Sequence, residues 1–309
     1  MTTIDSGWPD LTFTTWADTK KSLHLYAQML GKLRLALSPH QPNWMFTALA
    51  LCARGVTTGA MPWGDRSVQA TLDVFASEIV LELSDGRSQR IALVPSRPVA
   101  EIFAELRAGL NALGINAILT TTPQEVADVT PFDEDRRPSA YDPEAVRRWF
   151  SVTTAVAGIF DEWRAHFFGR SGIQLWWGAL DLSLMLFSGR HVDAPTDRGY
   201  LLRYDLDAEL LNVGFYPGDE ANPRPMFYGY IYPQPAGCAT IELGVPDAFW
   251  SQQLGEWLLP YDAVRAAADS RATIVAFLDA LYRTCGSAAG WDAQALSYAR
   301  PKTARLRPA

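Results

Sequence analysis

Two segments of the chain resemble each other closely enough to constrain the whole fold. Residues 42–59 read PNWMFTALALCARGVTTG, and residues 173–190 read IQLWWGALDLSLMLFSGR. They align without a gap when Asn43 is placed over Gln174, so that each begins with a side-chain amide, continues through an aromatic cluster and becomes an apolar run. A chain with such a pair is predicted to consist of two related halves organised around it.

Helix and turn signals place similar elements around both segments. Apolar residues recur at helical spacing before each one, in residues 19–37 and 143–169. The run 45–53 is expected to be a strand buried on both faces, and the Asp-Gly pair in 84–87 predicts an antiparallel hairpin. Further strands are expected at 116–120, 201–204, 208–215, 226–232 and 240–243, and helices at 98–113, 247–258, 261–268 and 272–285.

This order of elements predicts an α+β protein with two pseudo-repeated helix–antiparallel-sheet–helix halves that share a core. The polar, proline-punctuated stretch 121–142 is the natural junction between them. The N-terminal half is therefore expected to cover residues 1–137 and the C-terminal half residues 138–309, and the two halves are expected to form one integrated unit. Two apolar strands of similar length can also resemble each other by chance, which is the alternative to a duplication.

Charge and cysteine content narrow the possible partners and the compartment. The net charge is −7 and no basic block is present, so neither a nucleic acid nor a membrane surface is an expected partner. The N-terminal residues lack the basic and apolar regions of a signal peptide. Three cysteines lie far apart without a CxxC motif, which favours a reducing cytoplasm over a disulfide framework.

Short phrases that together are characteristic occur along the chain: LHL at 23–25, GKLRLALSP at 31–39, ARG at 53–55, PFDED at 131–135, YDPE at 141–144, FSGR at 187–190 and GFYPG at 214–218. They resemble an uncharacterised bacterial family that is known only as a domain of unknown function. The resemblance extends over nearly the whole chain but implies no particular activity.

The same resemblance implies histidines where this chain has other residues. Family members typically have His at the positions of Asn43 and Gln174, a further His near Ala208 and a Glu near Gln234. If those residues form a metal site, this chain has lost it, because amides are poor ligands for zinc or iron and cannot act as general bases near neutral pH. We therefore expect no metal and no cofactor.

Asp181 is the most unusual ionisable residue, because it interrupts the apolar run 176–186. An unpaired charge buried there would be costly. Asp181 is therefore predicted to have a raised pKa or an arginine partner if it is buried, and to face solvent if its strand lies at an edge. Arg54 and Arg190, which end the apolar runs of the two similar segments, are candidate partners or anion-binding groups.

His24 and a run of tyrosines supply the other candidates. His24, Gln28 and Lys32 form one polar stripe on a helix, and that stripe faces either solvent or a pocket. Tyr230 is the middle member of an alternating tyrosine series in 228–232, which is typical of one face of a strand. That face either covers a core or lines a pocket.

We therefore expect a small-molecule enzyme with an aromatic-lined pocket between the halves. It would use metal-free acid–base or positional catalysis, such as an isomerisation, a cyclisation or a hydrolysis. Asp181 and His24 are the predicted catalytic residues. The predicted substrate contacts are Asn43, Trp44, Gln174, Trp176, Arg54, Arg190 and Tyr230. The alternatives are a non-catalytic binding protein for a small organic molecule and a structural or partner-binding protein without a pocket, and the oligomeric state is open.

Overall fold

The computed structural model describes residues 8–197 and 199–297, except for the side chains of residues 201 and 202. Within these residues, seven α-helices and two antiparallel sheets make the protein an α+β protein, as the sequence predicts. No helix in this part of the chain is both long and apolar enough to cross a membrane. The helices are α1 (Ala17–Leu37), α2 (Val99–Ala112), α3 (Pro143–Arg164), α4 (Tyr200–Asp205), α5 (Tyr261–Ala266), α6 (Ser270–Ala288) and α7 (Ala293–Leu296).

The first sheet is built from the N-terminal part of the chain. Its strands are β1 (Ala50–Cys52), β2 (Gly55–Thr57), β3 (Met61–Trp63), β4 (Arg66–Asp73), β5 (Glu78–Leu83) and β6 (Ser88–Ala92). The strand order is β1-β2-β4-β5-β6, and β3 pairs with β4 as well. Gly86 adopts a φ of 92° between β5 and β6, which confirms the hairpin that the Asp-Gly pair predicts.

The second sheet is built from the C-terminal part of the chain. Its strands are β7 (Gln174–Trp176), β8 (Asp181–His191), β9 (Ala208–Tyr216), β10 (Met226–Tyr232), β11 (Phe249–Ser251) and β12 (Glu256–Pro260). The strand order is β11-β12-β10-β9-β8-β7. At the β7 edge, Leu49 and Leu175 exchange two backbone hydrogen bonds of 2.9 Å, which connects the chain before β1 to the second sheet.

The two faces of the second sheet differ in character because side chains alternate along each strand. One face packs against helices, and Leu281 of α6 approaches so closely that a Cβ added at Gly229 would lie 2.4 Å from it. Buried apolar residues of this face belong to a continuous core that also contains residues of the first sheet. The opposite face carries Asp181, Asn212 and Glu256, and it is the face that positions the candidate site.

Several sequence-predicted elements are wrong. Residues 116–120 and 240–243 form no strand, and residues 201–204 lie in α4 rather than in a strand. The predicted helix 247–258 is instead the hairpin β11–β12, paired with β10. The predicted buried strand 45–53 consists of turns and the short β1, whose residues are partly exposed.

The internal repeat is not confirmed. The first segment forms a 3-10 helix at Pro42–Trp44, a turn and the three-residue β1, whereas the second forms β7, a turn and the 11-residue β8. Asn43 has a left-handed φ of 55°, while Gln174 lies in a strand, so the aligned amides do not share a backbone conformation. The boundary between the halves near residue 137 stays a prediction.

Candidate functional site

A cavity of about 1290 Å³ lies over the second face of the second sheet. Met185 of β8, Asn212 of β9 and Tyr230 of β10 are directly paired across the strands, and all three line the cavity. Residues opposite each other in antiparallel strands have side chains on the same face. Asp181 and Glu256 extend this floor at its two sides, from β8 and β12.

The walls come from both parts of the chain. Leu35 of α1, Trp44 and Thr47 of the first segment and the loop residues Gln124 and Glu125 face the sheet from the N-terminal part. Aromatic rings supply much of the surface, as in many pockets for small molecules. These rings belong to Trp44, Trp176, Trp177, Tyr200, Tyr216, Tyr228, Tyr230 and Phe249.

Asp181 and Tyr228 form a hydrogen-bonded pair on the cavity floor. The Tyr228 hydroxyl donates a short hydrogen bond to Asp181 Oδ2. Tyr228 can lie across the sheet because Gly214 stands between the two residues, where an added Cβ would be 2.2 Å from Tyr228 Cζ. Burial raises the pKa of Asp181 to about 6, although the bond from Tyr228 acts in the opposite direction. Burial and the Asp181 charge raise the pKa of Tyr228, so its phenol stays protonated.

Three further carboxyl groups line the cavity, two of them half-buried and one, Glu125, exposed. Burial, with a smaller contribution from the Asp181 charge, raises the pKa of Glu256 to about 7. Burial and the neighbouring Asp207 raise the pKa of Asp205 to about 6, and burial also raises the pKa of Glu125. No group of three or more His, Cys, Asp and Glu side chains in the described part of the chain is placed to hold a metal ion.

Backbone strain is concentrated around the cavity. Trp44 and Glu125 line it with φ values of 55°, and Leu180, between two lining residues, has a φ of 61°. A left-handed conformation costs a non-glycine residue about 1–3 kcal/mol, and such residues cluster at active sites and ligand clamps. Three positions with this conformational cost therefore lie at the cavity.

The polar stripe of α1 is buried and lies behind the cavity wall. His24 Nε2 donates to the backbone oxygens of Trp177 and Gly178, at 2.8 and 2.9 Å. Burial and the nearby charge of Lys20 lower the pKa of His24 to about 4, so the ring is neutral near pH 7. The Gln28 side chain hydrogen-bonds to both backbone groups of Gln124, because its Nε2 donates to the carbonyl oxygen and its Oε1 accepts from the N–H. The stripe thus positions two wall segments, and His24 itself does not line the cavity.

Trp177 is fixed between α1 and the first segment. A Cβ added at Gly31 would lie 2.2 Å from its ring, so only glycine allows this approach. The indole Nε1 donates to the backbone oxygen of Thr47 at 3.0 Å, and Lys32 Nζ lies 5.7 Å from a ring centroid of Trp177. These contacts hold the Trp177 side chain in one defined position in the cavity wall.

Asn43 and Gln174 each have a structural setting outside the cavity lining. Asn43 Nδ2 donates to the backbone oxygen of Asp205 at 2.7 Å, which ties the first segment to the end of α4. Gln174 is paired with Ser183 in the sheet, and its buried Oε1 has no hydrogen-bond partner among the described residues. Both amides are predicted substrate contacts, and neither lines the cavity.

The two predicted arginines are engaged elsewhere. Arg54 forms a short ion pair with Asp73 on the first sheet. Arg190 pairs with Glu209 at 2.7 Å and donates to two backbone oxygens after α6. Neither arginine lines the cavity, and neither is the partner of Asp181.

The cavity brings together four of the residues that the sequence predicts: Asp181, Trp44, Trp176 and Tyr230. Sequence reasoning missed Asn212 and Glu256. Asn212 had a signal, because it interrupts the apolar strand 208–215. Glu256 had no such signal, because residues 247–258 were wrongly predicted to be a helix.

The fold and the cavity define a mixed α+β protein with a large, aromatic-walled and acidic cavity on one sheet face. The chain belongs to a family of unknown function (DUF5996), whose model matches residues 8–298. This confirms the family resemblance read from the sequence. No curated protein and no solved structure matches the chain. Because the family has no stated activity, only the cavity bears on function.

Proposed function

We propose that the protein is a small-molecule enzyme, that the cavity is its active site, and that Asp181 and Tyr228 perform metal-free acid–base catalysis. The observation that carries this proposal is the carboxyl–phenol pair at the floor of a cavity with aromatic walls. A general base works best when its pKa lies near the operating pH. The pKa of about 6 for Asp181 meets that condition.

The two groups have complementary roles. Near pH 7 the Asp181 carboxylate is mostly ionised and takes a proton from the substrate. Protonation weakens Asp181 as an acceptor, so the Tyr228 hydroxyl becomes available to donate to an oxygen on which negative charge develops. Asp181 then returns the proton to another atom of the substrate. This sequence suits an isomerisation or a cyclisation better than chemistry that needs a strong nucleophile.

A non-catalytic binding protein is the second candidate. No histidine, lysine or cysteine is among the described residues that line the cavity. Apart from side-chain amides and the exposed guanidinium of Arg224, the chemical groups available for catalysis there are carboxyls, phenols and a few hydroxyls. Such a surface can select a ligand without transforming it. The third possibility, a structural protein without a pocket, is disfavoured by the size of the cavity.

We also propose a cytoplasmic location and a small organic molecule as the partner. Cys52, Cys238 and Cys285 are free thiols, which suits a reducing compartment. The net charge of −7 argues against a nucleic acid.

The test is incubation of the purified protein with a metabolite extract, followed by untargeted mass spectrometry. The wild-type protein should consume one compound and form a related product, and Asp181→Asn should reduce the rate by about 100-fold or more. Glu82→Gln, which changes an exposed carboxyl on β5, is the matched control and should behave as wild type. A compound that binds without turnover would favour the second candidate. If nothing is bound or consumed, both candidates are contradicted.

A further inference from the structure

The cavity has many hydrogen-bond acceptors and few cations. Carboxyl groups at four positions line it, and Arg224, which is exposed, is the one cationic side chain among the described lining residues. None of the four carboxyls has an arginine or lysine hydrogen-bonded to it in the described structure. Like charges around a shared space repel one another, and the charge of Glu125 acts on Asp181 in this way, against an opposing contribution from Lys20 outside the lining. A cationic ligand would relieve that repulsion. The four are Glu125, Asp181, Asp205 and Glu256.

Asn212 provides an independent indication of the ligand. Its side chain is only 6% exposed and lies on the cavity floor between Met185 and Tyr230. The amide Nδ2 donates to the Tyr230 hydroxyl at 3.1 Å. The amide oxygen is buried and has no partner in the described structure. A buried acceptor without a donor is unfavourable, so this oxygen calls for an N–H or O–H group from a ligand.

The walls and the spacing of the charges favour an organic cation over a metal ion. No three acidic side chains in the described residues converge in the way that a metal ion requires. The charges are instead distributed around aromatic rings, including Trp44, Trp176 and Tyr228. Aromatic faces attract ammonium groups and also pack against apolar bodies.

We propose that the ligand of this cavity is a protonated primary or secondary amine attached to an apolar or aromatic body, with its N–H groups donating to Asn212 Oδ1 and to the carboxyl groups of the floor. This inference rests on the proposed function, because it assigns a chemical class to the molecule bound at that site. A quaternary ammonium ion satisfies the charge but cannot donate to Asn212. Neutral and anionic analogues bring no positive charge, so they do not reduce the repulsion among the carboxyls.

Isothermal titration calorimetry with four indole probes of matched shape tests the inference. The probes are tryptamine, N,N,N-trimethyltryptammonium, indole-3-ethanol and indole-3-propionate. Tryptamine should bind the wild-type protein about 10-fold or more tightly than each of the others, because hydrogen bonds to charged groups are about this strong. Asn212→Leu should reduce the preference for tryptamine over the trimethyl probe, because the N–H groups that donate to the floor carboxyls remain. Asn111→Leu, at an exposed asparagine of α2 outside the cavity lining, should leave that preference intact.

The wild-type comparison decides the question even if a variant folds poorly. Binding of the alcohol or the propionate as tightly as tryptamine would overturn the inference, as would failure of tryptamine to bind. Equal loss of affinity for tryptamine and the trimethyl probe in Asn212→Leu would show that the amide oxygen has no role in selection. None of these results removes the proposed function, which the metabolite-extract experiment tests without any assumption about ligand charge.

Discussion

Replacing Asp181 with asparagine should stabilise the fold at pH 8 while it reduces the rate of the proposed reaction by about 100-fold or more. The folded protein holds this carboxyl at a pKa of about 6, compared with 3.8 for the free group, mainly because burial disfavours the charge. At about 1.4 kcal/mol per pKa unit, that difference corresponds to about 3 kcal/mol. The carboxyl is partly open to the cavity, so solvent screening reduces the expected gain to about 1–3 kcal/mol.

The size of this effect depends on pH. A raised pKa means that the folded state binds the proton more tightly than the unfolded state between about pH 4 and pH 6. In wild type, the contribution of Asp181 to the free energy of unfolding therefore falls as the pH rises through this window. Below it, Asp181 is protonated in both states, and the variant should have little advantage. Above it, the advantage of Asp181→Asn should be complete.

Urea unfolding of wild type and Asp181→Asn at pH 4 and pH 8 measures this difference. Glu209→Gln is the matched control on the same sheet. Although burial of Glu209 opposes it, hydrogen bonds from Arg190 and Ser188 hold its pKa below the ordinary value. Its replacement should therefore destabilise the protein at pH 8. An Asp181→Asn protein that is less stable than wild type at pH 8 would refute the reasoning.

Two further substitutions test the wall and the catalytic pair. Gly31→Ala should destabilise the fold by about 1–3 kcal/mol in urea unfolding, because its Cβ would overlap the Trp177 ring. Gly158→Ala is the control: its Cβ would meet open space, so this variant should stabilise the fold by about 0.5–1 kcal/mol. Tyr228→Phe removes the bond that lowers the pKa of Asp181, so the acidic limb of the rate profile should move to higher pH, and an unmoved limb would exclude Asp181 as the base.

The elements that the sequence predicts well are those with strong local signals. Asp142 accepts a hydrogen bond from the backbone N–H of Glu144, and Pro143 begins α3, as the cap-and-proline pattern indicates. The alternation in 226–232 correctly identifies β10, because a period of two is a property of the strand itself. Asp181 is recognisable for a related reason, since a carboxylate in an apolar run needs an explanation.

The features that the sequence could not give depend on distant contacts. Trp250, Leu254, Trp257 and Leu258 have helical spacing, yet the segment pairs with β10 as a hairpin, so Glu256 was missed. The stripe around His24 reads as exposed or pocket-facing on its helix. It is buried because the loop at 120–128 and the turn at 177–180 pack over it. Both segments are distant in sequence, so the local pattern of the helix does not predict this burial.

Native mass spectrometry after incubation with a metabolite extract tests the central claim, that this cavity binds a small organic molecule, most directly. The wild-type protein should retain one compound of defined mass that is released on denaturation. Ala179→Phe, which places a ring in the cavity, should not retain it, whereas Ala92→Phe on the exposed surface of β6 should. Retention of the same compound by Ala179→Phe, or retention of none by the wild type, would contradict the claim.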